Sequence, residues 1–498
     1  MALPNILWIC TDQQRADSLG CYGNRFVNTP NIDRLAKNGV RFTNAYAQNP
    51  VCMPSRASFL TGRYPRACGV RYNGQDMPEE MAKYLAPRIL KEKAGYLCGL
   101  SGKLNLAICN PVTGRATEPR LNDGYDAFYW SHEPGYRWPL GDYSLWLKSV
   151  GKEYKRTPVE GCSYVYTGMP EKYHQTTWCA DKAIEFMDTA HKFGRPWLFS
   201  LNCFDPHHPF DPPAEYLNRY LDMLDELPLP NYREGEIESK GQMVRRNHAG
   251  AYGKKGSFAY DGMSERDHRL IKAAYYAMCD LIDAQVGRLV EYLSASGQLD
   301  NTVIIFHSDH GESLGDHGVY LKGPYFYEES VNVPLIMHCP ALFKGGIVSR
   351  ALVELVDIVP TLYELCGIGE SKAVHGRSLA GILKGEKDPN VFRDSVYSEI
   401  YADTENAEPS IYSTMVRNER YKLTKIHVIP KNKEIDCKGE LYDLVADPGE
   451  RNNLYTLPEY GEVKTELLEL MCDRMALTCD PMPYHAFHGI PKGENTPK

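Results

Sequence analysis

Two pairs of side chains suited to holding a metal ion come first: Asp12-Gln13 and Asp309-His310. Carboxylates and an amide oxygen are ligands for hard cations such as calcium or magnesium. An imidazole extends the range to manganese and other transition metals. Each pair directly follows an apolar run, Ile6-Leu7-Trp8-Ile9-Cys10 and Thr302-Val303-Ile304-Ile305-Phe306. One such pair alone reads as a turn cap or a plain loop. Two in the same setting point to one site. A third feature is Cys52-Met53-Pro54-Ser55-Arg56. Pro54 and Ser55 suit the start of a helix and Gly62 its end. A group at position 52 then faces a helix N-terminus, where free N–H groups and the dipole attract anions. Arg56 adds a fixed positive fork for an oxyanion. An isolated cysteine is otherwise most often a structural thiol.

These residues need a scaffold that brings distant segments together. The runs at 6–10, 196–201, 302–306 and 333–337 are short and continuously apolar, as central strands buried on both faces are. Thr29-Pro30-Asn31 opens a helix with Ile32, Leu35 and Ala36 on one face. Apolar residues from Leu270 to Leu293, mostly three and four apart, predict a long helix over about 266–296. Strands alternating with helices predict an α/β fold, a largely parallel central sheet sandwiched by helices. In such sheets the residues just past the strands' C-terminal ends line the ligand crevice. Asp12, His307-Ser308-Asp309-His310 and Asp205-Pro206-His207-His208 all occupy that position. Residues 110–180 and 205–265, rich in Gly, Pro, Tyr and charge, read as long loops with short elements, walling a pocket. Short strands near 395–400, 412–416 and 421–424 predict a small antiparallel sheet, with a helix around 460–476. The expected division is a catalytic domain over 1–379 and a smaller C-terminal α+β subdomain over 380–498.

Bulk properties narrow the function. The 498 residues carry a formal net charge of −8, and phosphate backbones ask for a basic face, so nucleic acid is not an expected partner. No run of 18 apolar residues predicts a membrane span. The 15 cysteines include no Cys-x-x-Cys pair for zinc. They read as thiols of a reducing compartment. The N-terminus lacks the pattern of a signal peptide, which reads as cytoplasmic.

Cys52-Met53-Pro54-Ser55-Arg56 with Ala57 and Thr61-Gly62-Arg63 resembles the signature of the type I sulfatases, in the alkaline-phosphatase-like superfamily. Thr11-Asp12-Gln13-Gln14-Arg15, Ser308-Asp309-His310-Gly311-Glu312, and Leu441-Tyr442-Asp443-Leu444 with Asp447-Pro448 extend the resemblance over nearly the whole chain. The resemblance implies that a formylglycine-generating maturation enzyme converts Cys52 to formylglycine. It implies a divalent metal, calcium first with magnesium or manganese as alternatives, held by Asp12, Gln13, Cys52, Asp309 and His310. One hydroxyl of the hydrated aldehyde attacks sulfur, and the second later expels sulfate. His207, in a Pro-His-x-Pro-Phe segment similar to the family's, is implied as general acid, with His208 as competitor. Lys322 and Lys103 resemble the family's sulfate-binding lysines, alongside Cys52 and Arg56 in the catalytic set. Asn73 either binds the diol or an oxyanion, or forms an Asn-Gly turn. Two positions depart from the pattern. Asn105 stands where many members have a histidine, and Gln13 where many have aspartate. Gln13 is also similar to members that hydrolyse phosphonate monoesters and phosphate diesters, which is the alternative to a sulfatase acting on a sulfated sugar or aryl alcohol.

Overall fold

Strand β1 (Asn5–Thr11) is buried along almost its whole length. Its residues alternate between two cores. Ile6, Trp8 and Cys10 join one with Leu198, Val303 and Ile305, while Leu7 and Ile9 join another with Phe199, Leu201, Ile304 and Phe306. A strand covered on both faces has no polar side, so its sequence reads as an unbroken apolar run. In this computed structural model the described residues are 3–110, 114–135, 138–369, 373–402, 410–429 and 435–479.

Among the described residues the main sheet has eight strands. They are β1, β2 (Val40–Tyr46), β3 (Leu97–Gly102), β4 (Ala127–Trp130), β7 (Trp197–Asn202), β8 (Thr302–Ser308), β9 (Asn332–His338) and β10 (Ile347–Glu354). A two-stranded ribbon, β5 (Thr157–Pro158) and β6 (Tyr166–Thr167), lies outside it. The order is β10-β2-β9-β8-β1-β7-β3-β4. Every neighbouring pair is parallel except those involving β9, which is antiparallel to both β8 and β2. Helices cover both faces. Cys52–Thr61, Ala86–Ala94 and Ile358–Leu365 pack on one, and Pro30–Asn38, Gln175–Lys192 and Glu265–Ala295 on the other.

The expected α/β sandwich is therefore present, and the long helix starts one residue before its predicted position, at Glu265. Ser264 caps it, accepting from the Asp267 N–H while Asp267 accepts from the Ser264 N–H. The segment 110–180 holds the short elements expected of it and, beyond them, the start of a long helix. It contains β4, the helix Asp142–Ser149 and the first turns of Gln175–Lys192, whose Trp178, Ala183, Phe186 and Met187 are buried. Residues 111–113 and 136–137 of that segment lie outside the described residues. Among the described residues the small sheet has four strands rather than three: β11 (Val396–Ala402), β12 (Ile411–Arg417), β13 (Tyr421–His427) and β14 (Gly439–Asp443), all antiparallel. The helix Gly461–Cys479 packs on it through Leu467 and Met471. Residues 480–498 lie outside the described residues. All 15 cysteines are free thiols. No helix among the described residues is long and apolar enough to cross a membrane.

Glu354, at the end of β10, ties the two sheets together. Its carboxylate accepts from Tyr64 Oη at 2.6 Å, from Arg474 Nη2 at 2.7 Å and from the Tyr397 N–H at 2.8 Å, and it pairs with Arg393. Removing one partner of a buried ion pair leaves uncompensated charge. Glu354→Ala is expected to destabilise the protein by about 3 kcal/mol or more, read as a lower urea midpoint. An unchanged midpoint would mean that this junction contributes little.

Candidate active site

Four adjacent parallel strands, in the order β8-β1-β7-β3, deliver most of the candidate residues. Cys10 lies opposite His307 on one side and Asn202 on the other, and Gly102 also lies opposite Asn202. The strands thus end level. Asp12 follows β1, Asp309-His310 follows β8, His207 follows β7 and Lys103 follows β3, so all meet at one edge. The close approach of β3 to β7 needs Gly102, because a Cβ there would sit 2.0 Å from the Asn202 carbonyl oxygen. Strand β2 leads into the helix Cys52–Thr61, which begins at Cys52 itself, slightly earlier than Pro54 and Ser55 suggest. Gly62 ends it at φ +69°, a left-handed cap suited to glycine.

At this edge Cys52 Sγ lies 3.2 Å from His310 Nε2, 3.7 Å from Asp12 Oδ1 and 3.1 Å from Lys322 Nζ. Lys322 Nζ also donates to Gln13 Oε1 at 2.7 Å, and Lys103 Nζ donates to Asp12 Oδ2 at 2.5 Å. Asp309 accepts from the backbone N–H groups of Gln13 and His310 at 3.0 and 2.9 Å. All of these residues are buried.

Three of the expected site side chains already have protein partners. Arg56 does not extend its fork towards an open oxyanion site. It is fully buried, with Nε on Asp309 Oδ2 at 2.8 Å, Nη2 on Asp12 Oδ2 at 3.4 Å and Nη1 on the Lys103 carbonyl at 2.9 Å. Its five donors suit the orientation of two carboxylates at once. Asn73 Oδ1 accepts from the Met53 N–H at 2.9 Å, satisfying a free donor at the start of the Cys52 helix. The amide of Gln13 is held at both ends, by Lys322 and by Glu312.

Cys52, Asn73, Lys103, Asn105, His207, His208 and Lys322 share the lining of one cavity of about 530 Å³. The rings of His207 and His208 stack at 4.2 Å. His207 Nδ1 donates to the His208 carbonyl at 2.5 Å, which leaves Nε2 to carry a proton to or from a ligand. Among the described residues His208 Nδ1 has no hydrogen-bond partner. The same cavity is lined by His132, Tyr252, Met243 and Phe204, which the sequence reading did not single out. For His132 the signal was present, since Ser131-His132-Glu133 directly follows β4. Met243 lies in the short helix Gln242–His248 and Tyr252 in the 3-10 turn Ala251–Gly253 that follows it, and neither stretch carries a comparable mark.

Charge governs the thiol. Burial and Asp12 push the Cys52 pKa up, but Lys103, Lys322 and His310 together hold it well below the ordinary thiol value. A lowered pKa keeps the thiolate populated as pH falls. In unmodified protein, alkylation of Cys52 by iodoacetamide is therefore expected to persist well below the pH at which an ordinary thiol slows. A rate profile with an ordinary thiol midpoint would contradict this. Burial, reinforced by Lys322, holds His207 well below its usual value.

The donor set fits a divalent cation. One atom each from Asp12, Cys52, Asp309 and His310 lies within 4.8 Å of the others, and all four residues are buried. His310 Nε2 sits 3.8 Å from Asp12 Oδ1 and 3.7 Å from Asp309 Oδ1. Its Nδ1 donates to the Gly311 carbonyl at 2.9 Å, which turns Nε2 towards the cluster as a ligand.

The sequence model of the sulfatase family matches residues 4–368, and that of the N-sulphoglucosamine sulphohydrolase C-terminal region matches residues 315–476. The chain belongs to the sulfatase family. It is 31% identical to an arylsulfatase of Clostridium perfringens over 92% of each chain. It is 27% identical to an N-acetylglucosamine-6-O-sulfatase of Bacteroides thetaiotaomicron, over 94% of this chain and 85% of that protein. Its fold matches the crystal structure of a phosphonate monoester hydrolase of Agrobacterium radiobacter with a TM-score of 0.80 at 25% identity, covering 96% and 97% of the two chains. By family this sulfatase is a sulfuric ester hydrolase with the alkaline-phosphatase-like fold.

Proposed function

We propose that this sulfatase cleaves the sulfate ester of a sulfated sugar or aryl alcohol, using a formylglycine made from Cys52. The observation that carries this reading is Cys52 itself. It is the first residue of a helix, lies between His310 Nε2 and Lys322 Nζ, and lines a cavity large enough for a small ligand. Asp12, Gln13, Asp309 and His310, with the modified Cys52, are the residues that would hold a divalent metal, calcium first. Once bound, the metal lowers the pKa of a hydroxyl and polarises sulfate oxygens. Hydrated formylglycine supplies both an attacking and a recovering hydroxyl.

The protein's own side chains do the rest. Lys322 and Lys103 place two positive charges on the cavity wall, where an ester's anionic oxygens bind. Arg56 keeps Asp12 and Asp309 in register from below and touches no ligand. Asn73 pins the start of the Cys52 helix. His207 Nε2 is the proton donor to the leaving oxygen. An arriving anion offsets the lysine charges that disfavour its protonated form. His208 supports the ring by stacking, and Asn105 offers an amide to the substrate. We assign residues 1–379 to the catalytic domain and 380–498 to the C-terminal subdomain, whose β11 and β12 contribute Ile400 and Ile411 to the cavity wall.

A second reading, phosphonate monoester or phosphate diester hydrolysis, is favoured by Gln13 and by the phosphonate monoester hydrolase match. Sulfate monoesters and phosphonate monoesters carry the same single charge, so pocket shape decides between them. Initial rates on matched aryl sulfate and aryl phosphonate esters test the choice, and a faster phosphonate reaction would replace the sulfatase reading. Mass spectrometry of the Cys52 peptide from active native protein tests the nucleophile. The expected change is a loss of about 18 mass units, thiol to aldehyde, and a plain thiol in active protein would rule formylglycine out.

General acid catalysis makes a graded prediction. His207→Ala is expected to lower kcat by about 10² to 10⁴ on alkyl sulfates and far less on nitrophenyl sulfate, whose oxyanion leaves unprotonated. Equal losses on both substrates would remove His207 from that role.

A further inference from the structure

The segment between β3 and β4 carries a buried carboxylate with no place in the chemistry above. Glu118 is 5% exposed. Its Oε2 accepts from the Asn105 N–H at 2.9 Å and from the Trp130 indole N–H at 3.0 Å. Its Oε1 accepts from the N–H groups of Leu106 at 2.6 Å and Ala107 at 3.1 Å. Four donors on two oxygens are what an ionised carboxylate satisfies. Three consecutive backbone N–H groups curled around one anion form a nest, here filled by the protein itself.

What this nest holds is the backbone of Asn105. That residue sits at φ +59°, a region that costs most residues energy and that asparagine tolerates better than most. Strain of this kind persists only where the surroundings enforce it. Neighbouring Lys103 is fixed independently. Its N–H donates to the Asn202 carbonyl, and its own carbonyl accepts from Arg56 and Asn202. Glu118 therefore acts on the Asn105 side of the turn. Asn105 lines the cavity with Cys52, Lys103 and His207. Among the described residues its side-chain amide has no hydrogen-bond partner, although the residue is only 8% exposed. An amide on the cavity wall without a protein partner is suited to binding a ligand.

We infer that Glu118 is a positioning residue: by gripping the N–H groups of Asn105, Leu106 and Ala107 it locks the strained turn that presents the Asn105 amide to the substrate's charged oxygens. The Trp130 bond couples this turn to the wall carrying His132. The inference rests on the proposed ester-hydrolase reading and deepens it. Glu118 touches no reacting atom and works through Asn105.

The test is a double-mutant cycle of Glu118→Gln and Asn105→Gly on full-length protein. It reads kcat, KM and the affinity for inorganic sulfate measured by calorimetry. Glycine accepts φ +59° without strain, so Asn105→Gly removes the amide while the turn remains accessible to the backbone. Glutamine offers the four donors one acceptor oxygen and a clashing NH₂ group. Glu118→Gln is expected to lower kcat/KM about tenfold and to weaken sulfate binding by a similar factor. In the Asn105→Gly background both losses are expected to shrink below about twofold. Equal losses in the two backgrounds would show Glu118 to be generally structural and would overturn the inference. So would an unimpaired, folded Glu118→Gln. If Glu118→Gln does not fold, Trp130→Phe removes one of the four donors and runs through the same cycle with a smaller loss. Wild-type protein inert towards both sulfate and phosphonate esters would refute the functional reading instead, and the sulfate-binding arm would still judge Glu118.

Discussion

Replacing Cys52 with alanine is expected to lower kcat/KM by about 10⁴-fold or more, while the far-UV circular dichroism spectrum stays that of the wild type. Removing the nucleophile from a hydrolase that forms a covalent intermediate costs on this scale, and what survives comes from binding and electrostatics. Among the described residues the geometry leaves no substitute in the same place. Cys52 Sγ is the group within 3.7 Å of Asp12, His310 and Lys322 together, and the other cavity cysteine described, Cys109, is raised by burial to about 12. The side chain faces the cavity rather than a closed core, so truncation makes no new sealed void of the kind that destabilises cores. Alanine at position 52 with activity within about tenfold of wild type would move the nucleophile elsewhere.

Asp12→Asn is expected to cost about 10³-fold in kcat and to weaken calcium or manganese binding by at least about 10- to 100-fold. Asp12 faces two ways. Oδ1 is turned to the candidate metal site, and Oδ2 is tied to Lys103 at 2.5 Å and to Arg56. Burial works against its charge, but Lys103, His207, Lys322 and Arg56 hold its carboxyl well below the usual range. An amide of the same shape keeps the packing and loses the charge. It leaves Lys103, Lys322 and Arg56 facing one carboxylate, Asp309, instead of two. Dialysis against a chelator followed by calorimetric titration with each cation gives the affinity, and rates after reloading give the catalytic cost. Unchanged metal affinity would take Asp12 out of the ligand set. Full activity in chelated wild-type protein would take the metal out of the reaction.

Some of this was legible along the chain. The strands β1, β7, β8 and β9 announce themselves because a strand buried on both faces has no room for polar residues. The polar residues that follow β1, β7 and β8 mark the sheet's functional edge. Strand β3, Leu97–Gly102, was missed because its two glycines suppress the strand signal, and one of them is there only to let β7 approach. Strand β2 carries Arg41, Thr43 and Asn44 on partly exposed positions and shows no clean apolar run. The helix Gln175–Lys192 follows a Tyr- and Pro-rich stretch whose composition masked the change to a helical period.

The residues themselves determined the family, the candidate metal-ligand pairs after β1 and β8, and the thiol at a helix N-terminus. Those signals are local, written within a few positions of each other. Only the tertiary structure decided that β8, β1, β7 and β3 stand side by side with level ends, which turns four separate segments into one site. It also decided that Arg56 works beneath the site, that Asn73 caps a helix, and that Glu118 grips the Asn105 turn. The physical reason is the same in each case. A buried donor takes whichever acceptor the fold brings to it, and for Arg56 that acceptor, Asp309, lies 253 residues away along the chain.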